Sequence, residues 1–203
     1  MKKFLRNSVV SAVALTAVAA PVLADEGDEL DVEVGILTST LAFAPFNFGV
    51  QALEPFSNSP VPFLPDSGWA GDDPGWLSIG NPKLGEGGAL SPIGAGALIG
   101  IEVLSLSGAL RAFDPAGGGE ITVGQTWLFD GGNVFDAHPI WVIDATSPSF
   151  DPNQTVWTGT FRLIDQGTTN YTPSTVHSFE FTVPEPTSLS LLALAGLALI
   201  RRR

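Results

Sequence analysis

Cysteine is absent from the 203 residues, which excludes disulfides, thiolate metal centres and cysteine nucleophiles together. Basic charge is almost as scarce. There are 9 Lys and Arg against 21 Asp and Glu, and six of the nine, Lys2, Lys3, Arg6 and Arg201 to Arg203, sit at the two ends. Between Asp25 and Thr182 only Lys83, Arg111 and Arg162 are basic against 20 acidic residues, a net charge of −17. A body of that sign repels nucleic acid and anionic headgroups, so neither is expected as a partner, whereas divalent cations are drawn to it. The same acidity keeps a protein soluble. Histidine is limited to His138 and His177, too few to build a zinc centre of three nitrogen or sulfur ligands. No G-x-S-x-G elbow accompanies either one. The expectation is therefore of no enzyme, no catalytic residues, no cofactor and no metal ligands, with one opening left: folding could converge His138 with acidic loops.

What is present is most distinctive at the ends. Met1 to Ala24 has basic residues, then an apolar stretch around Val9 to Ala20, then Val22-Leu23-Ala24 before Asp25. This is the layout of a secretory signal peptide, with cleavage expected after Ala24. At the other end Val183-Pro184-Glu185-Pro186-Thr187 leads into an apolar run to Ile200, followed by Arg201-Arg202-Arg203. Pro184 and Pro186 end any soluble domain, because proline lacks an N–H and biases the preceding residue towards extended backbone. Leu189 to Ile200 is rich in Leu and Ala and uncharged, which favours a short transmembrane helix. Its twelve residues span about 18 Å against a hydrocarbon core of about 30 Å. That length suits a temporary anchor, with the arginines acting as a stop on the cytoplasmic side.

Pro-Glu-Pro, a short apolar helix and a terminal arginine cluster, in that order, resemble the PEP-CTERM sorting signal of bacterial exported proteins. The resemblance covers residues 183–203 alone. It implies recognition by an exosortase, an integral-membrane transpeptidase-like enzyme that would cut near Pro184, Glu185 and Pro186 and pass the protein to the cell surface or extracellular matrix. Family members often accompany exopolysaccharide production, which makes exopolysaccharide a further partner implied by the resemblance.

Between the ends lie roughly 160 residues, the size of one domain. Period-two alternation begins at once, with Leu30, Val32 and Val34 interleaved by Asp31 and Glu33. Further strands are expected over 38–44, 46–51, 99–106, 110–113, 155–164 and 176–183. A pair at 121–129 and 134–143 is expected to join around Asp130-Gly131-Gly132-Asn133. Residues 53–88 contain Pro55, Pro60, Pro62, Pro65, Pro74 and Pro82, and read as a long irregular loop region packed over one end of the domain. With no amphipathic helix and no fixed repeat, the expected fold is all-β: a single antiparallel β-sandwich, jelly-roll-like, over residues 25–182.

Three side-chain groups invite functional readings. Carboxylates from Asp25 to Asp31 resemble a calcium cluster in composition, but the ordered spacing of an EF-hand loop is missing. Asp130, Asp136, Asp144 and Asp165 lie near strand ends, where turn chemistry accounts for them better than glycoside cleavage does. Trp69 and Trp76, set in the polar loop region, are the candidates for a glycan-stacking platform. The leading expectation is an exported structural or adhesive protein of the cell surface or matrix, handled by the general secretion machinery and an exosortase and crossing the membrane only transiently. The alternative is a secreted polysaccharide-binding module.

Overall fold

Alternating apolar and polar side chains place one face of a strand in a core and the other in water, and the chain uses this device from Asp31 onward. The computed structural model describes residues 31–46, 50–85, 87–117 and 119–183. Three expectations lie outside the described residues: the signal peptide with its cleavage point at Ala24, the acidic run 25–29, and the sorting signal with Pro184, Glu185, Pro186 and Arg201 to Arg203.

The described chain is all-β, with no helix. In order its strands are β1 (Asp31–Leu37), β2 (Thr40–Phe43), β3 (Val50–Ala52), β4 (Glu54–Ser57), β5 (Ser67–Gly71), β6 (Gly75–Ser78), β7 (Lys83–Gly85) and β8 (Gly88–Leu90). There follow β9 (Ile99–Leu106), β10 (Leu110–Asp114), β11 (Gly119–Glu120), β12 (Thr126–Leu128), β13 (Asp136–Ala137), β14 (Ile140–Asp144), β15 (Val156–Asp165) and β16 (His177–Thr182). They form a four-stranded sheet β13-β6-β1-β2, two five-stranded sheets, β11-β10-β14-β5-β4 and β12-β9-β15-β16-β3, and the small ribbon β7-β8. Pairing is antiparallel except for β1 with β6 and β3 with β16, which are parallel. Those two ladders correct the purely antiparallel expectation. Each joins strands separated by long stretches of chain, so a crossover rather than a hairpin connects them.

The three larger sheets share one core. Val32 and Val34 of β1, Trp76 of β6, Ile101 and Val103 of β9, Leu110 of β10, Trp141 of β14, Phe161 and Leu163 of β15, and Phe179 and Phe181 of β16 belong to a single buried cluster. Alternation explains the longest strand: Trp157, Gly159, Phe161 and Leu163 are buried while Thr158, Thr160 and Arg162 are not. Gly159 is needed there, because a Cβ at this position would lie 2.6 Å from the Phe179 ring on the neighbouring strand. All three basic residues of the body are spent on ion pairs, Lys83 with Glu33, Arg111 with Glu120 and Arg162 with Glu102.

Two further expectations are corrected. Residues 53–88 are not a loop lying over the domain: β5 sits between β14 and β4, and β6 between β13 and β1. Prolines delimit strands here without preventing them. Ser67–Gly71 falls between Pro65 and Pro74, Gly75–Ser78 falls between Pro74 and Pro82, and Pro55 lies in β4 at a sheet edge, where a missing N–H is tolerated. The second correction concerns 121–143. β12 pairs with β9, β13 with β6, and β14 with β10 and β5, so the turn at Asp130 to Asn133 passes the chain between sheets and closes no hairpin. Gly131 and Gly132 have φ of 99° and 70°. They supply the sharp reversal, and Pro139 then separates β13 from β14.

Candidate functional site

Three strands of the β13-β6-β1-β2 sheet bring one histidine and two carboxylates together. Asp31 opens β1 and lies beside Gly75 of β6. On the other side of β6, Ala137 pairs with Trp76, which carries His138 on to the level of Gly75. Asp136 and His138 are two positions apart and so share a face. The middle of this row has to be glycine, since a Cβ on Gly75 would stand 2.2 Å from Cε1 of His138 and 2.3 Å from Nδ1. With that space empty, the imidazole reaches across β6 towards β1.

His138 Nε2 is 3.0 Å from Asp31 Oδ1 and 3.0 Å from Asp136 Oδ1. Its Nδ1 lies 3.3 Å from the backbone carbonyl of Asp72. The aligned hydrogen bond from Nε2 goes to Asp136. Asp31 Oδ1 is shut off from solvent, and its contact with the imidazole nitrogen lacks the alignment of the bond to Asp136. The Asp31 and His138 side chains are 25% and 18% exposed, whereas Asp136 is 60% exposed and opens the cluster to solvent.

The electrostatics are those of a site with too much negative charge. Burial pushes the Asp31 carboxyl above its ordinary value; His138 pulls it down, but Asp136 and Asp73 push it up again, and the net direction is up. Burial works to lower His138, yet Asp31 first and Asp136 second outweigh it, with hydrogen bonds to Asp136 and the Asp72 carbonyl, so that it too is raised. A simple ion pair would move its two members in opposite directions. Both rise here because burial, with Asp136 and Asp73 adding to it, outweighs the histidine's pull on Asp31, while two carboxylates face the one imidazole. Replacing Gly75 with alanine should drive the ring away from Asp31. In the presence of EDTA, an NMR titration of His138 is then expected to shift downward towards 6.5, its ordinary value; an unchanged midpoint would show that the glycine gap does not position the ring.

A cleft of about 160 Å³ adjoins the cluster, lined in part by Asp114, Trp127, Asp130, Asp136 and His138 and by no lysine or arginine. A second cleft of similar volume lies between β2 and the segment before β16. It includes His177, whose Nε2 shares a 2.8 Å hydrogen bond with the Thr175 hydroxyl and whose ring lies 4.4 Å from that of Phe43. The two histidines thus belong to different clefts.

The remaining expected site residues fall elsewhere. Trp76 is fully buried, against Phe129 at 5.7 Å and Phe161 at 5.2 Å, so it is no glycan platform: a ring with no exposed surface offers none to a sugar. Trp69 is half-buried and stacks on Phe150 at 5.8 Å, which in turn stacks on Trp157 at 6.3 Å. Asp144 and Asp165 act in turns: Asp144 accepts from the backbone and hydroxyl of Thr146, and Asp165 organises the loop from Gln166 to Tyr171. Asp31 was the member of the cluster that sequence reasoning did not connect with the others. The Asp-x-His spacing at 136 and 138 was the signal available; the third donor arrives through strand pairing more than 100 positions away. The chain matches no protein-family model, no curated protein and no solved structure.

Proposed function

We propose that this chain is an exported structural or adhesive protein of the cell surface or extracellular matrix. In this reading a jelly-roll-like β-sandwich is delivered by the general secretion machinery and sorted by a PEP-CTERM tail that an exosortase processes. The observation that supports it most directly is where the strands lie relative to that tail. The last strand among the described residues, β16, ends at Thr182, two positions before Pro184. It is held on one side by β15 and on the other by β3, and the Thr182 carbonyl accepts a hydrogen bond from Leu53 N–H at 3.0 Å. Cutting the chain at Pro184 to Pro186 breaks none of these bonds. Every strand of the described residues therefore lies upstream of the expected cut and keeps its ladders when the tail goes.

One further feature agrees with this reading: the larger sheets close on a single core, as the faces of a sandwich do. The transient membrane passage and any association with exopolysaccharide follow from the sorting signal and stand or fall with it. Replacing Pro184, Glu185 and Pro186 with alanines is expected to leave the protein in the membrane fraction with its C-terminus intact by mass spectrometry, while the parent is released in a shortened form. Equal release of the two would defeat the sorting proposal.

A further inference from the structure

We propose that Asp31, Asp136 and His138 bind a divalent first-row transition-metal ion, of which zinc is the representative, and that this ion ties the start of β1 to the segment leading into β14. The inference is independent of how the chain is exported.

Three observations carry it. The first is the histidine's tautomer. A carbonyl oxygen can only accept, so the 3.3 Å contact with the Asp72 carbonyl places a proton on Nδ1. In the neutral ring Nε2 then presents a lone pair towards two carboxylate oxygens at 3.0 Å, an arrangement that repels unless a second ring proton or a metal ion stands among the three atoms. Metal-ligating histidines are held in this way, with the far nitrogen donating to a backbone carbonyl or carboxylate.

The second observation is the buried oxygen. A single Nε2–H can satisfy one of the two carboxylates, and its alignment chooses Asp136. Asp31 Oδ1 is left out of reach of solvent with only a poorly aligned contact to the same nitrogen, a costly state for a carboxylate oxygen. A metal ion serves all three atoms at once where a proton serves two.

Spacing is the third. The donor atoms lie within 4.8 Å of one another, and the two 3.0 Å separations match adjacent ligands at about 2.1 Å from an octahedral ion; a tetrahedral site needs about 3.4 Å, an adjustment of a few tenths of an ångström. One imidazole and two carboxylates leave coordination positions for water on the exposed Asp136 side. The donor set argues against calcium, which takes six to eight oxygens and gains little from imidazole. Attraction comes from the cleft, where Asp114 and Asp130 add charge to Asp136 and no basic side chain opposes them.

The test is isothermal calorimetry on the full chain, purified in mild detergent, stripped with chelator and titrated with zinc, manganese or calcium chloride at pH 7.5. The parent should bind one zinc ion. Asp136→Asn, at an exposed position that does not touch the core, should weaken that binding at least tenfold, and His138→Gln should abolish it. The exposed Glu180→Gln, on β16, should change nothing. Zinc should also raise the thermal midpoint of the parent but not that of His138→Gln. The proposal is overturned if zinc binds equally well to all four proteins, which would mark diffuse attraction to an acidic surface, or if the parent binds none, which would leave a protonated His138 as the sole occupant. Tighter binding of calcium than of zinc would overturn the choice of metal.

Discussion

Trp76→Ala is expected to destabilise the protein by about 4 kcal/mol, within the usual range for removing a buried large aromatic. The side chain is fully buried and lies against Phe129, Phe161 and Trp141, with ring centroids at 5.7, 5.2 and 6.1 Å. These partners come from other strands and from the segment after β12, so the loss opens a void where the sheets meet rather than at an edge. Trp76→Phe should cost less than half as much, for a specific reason: the indole Nε1 is buried with no acceptor among the protein atoms, and phenylalanine removes that unpaired donor while keeping a ring in place. By contrast Trp141 donates its Nε1–H to the Pro74 carbonyl at 3.2 Å, so Trp141→Phe would leave that carbonyl unpaired. Urea denaturation should show a lower midpoint for Trp76→Ala with an unchanged slope. A midpoint equal to the parent's would mean that the core tolerates the cavity. Any loss of glycan retention in Trp76→Ala would have to be read as unfolding.

The second large effect is expected at Asp165, the last residue of β15. Its Oδ1 accepts from the N–H groups of Leu98 at 3.0 Å and Gly167 at 2.8 Å, and its Oδ2 from the Thr169 hydroxyl at 2.5 Å and Tyr171 N–H at 3.1 Å. The loop so formed is zipped to the approach to β9 by Gln166 N–H to the Leu98 carbonyl and Thr168 N–H to the Gly96 carbonyl, both at 2.8 Å, and by Gly94 N–H to the Tyr171 hydroxyl at 3.0 Å. Removing the carboxylate in Asp165→Ala leaves four donors to find other partners. The expected cost is about 3 kcal/mol, less than four independent charge-assisted hydrogen bonds would total, because the site is partly open to water.

Acid should reveal the same interaction. Burial alone would raise the Asp165 carboxyl, but the bonds from Thr169, Leu98, Gly167 and Tyr171 outweigh it and hold the group below its ordinary 3.8. A group lowered on folding stabilises the native state in full above its unfolded value and loses that contribution as pH falls through the folded one. The stability gap between parent and Asp165→Ala should therefore be constant near neutrality and shrink below about pH 4. A gap that persists unchanged at pH 2 would assign the effect to packing rather than to the carboxylate.

Strand positions were legible wherever alternation ran for several residues without interruption. Expected boundaries at 99–106 coincide with β9, and those at 110–113, 155–164 and 176–183 differ from β10, β15 and β16 by one residue at one or both ends. Short strands between prolines were not legible, because three to five residues are too few for a period to show and the breakers around them dominate. That is why β5 and β6, which lie inside sheets, were read as loop. The error carried Trp76 with it: a tryptophan assigned to a polar loop looks available to a ligand, while the same residue on β6 is central to the core.

The sequence by itself determined the all-β class, the acidic body and the two signal-like ends, since these depend on composition and on neighbours within a few residues. Which residues meet was decided only by tertiary structure. Asp31, Asp136 and His138 are joined by two ladders onto β6 and by a glycine that leaves room for an imidazole. Local preference carries no record of such pairing, because register is set by the hydrophobic faces of whole strands packing against a shared core.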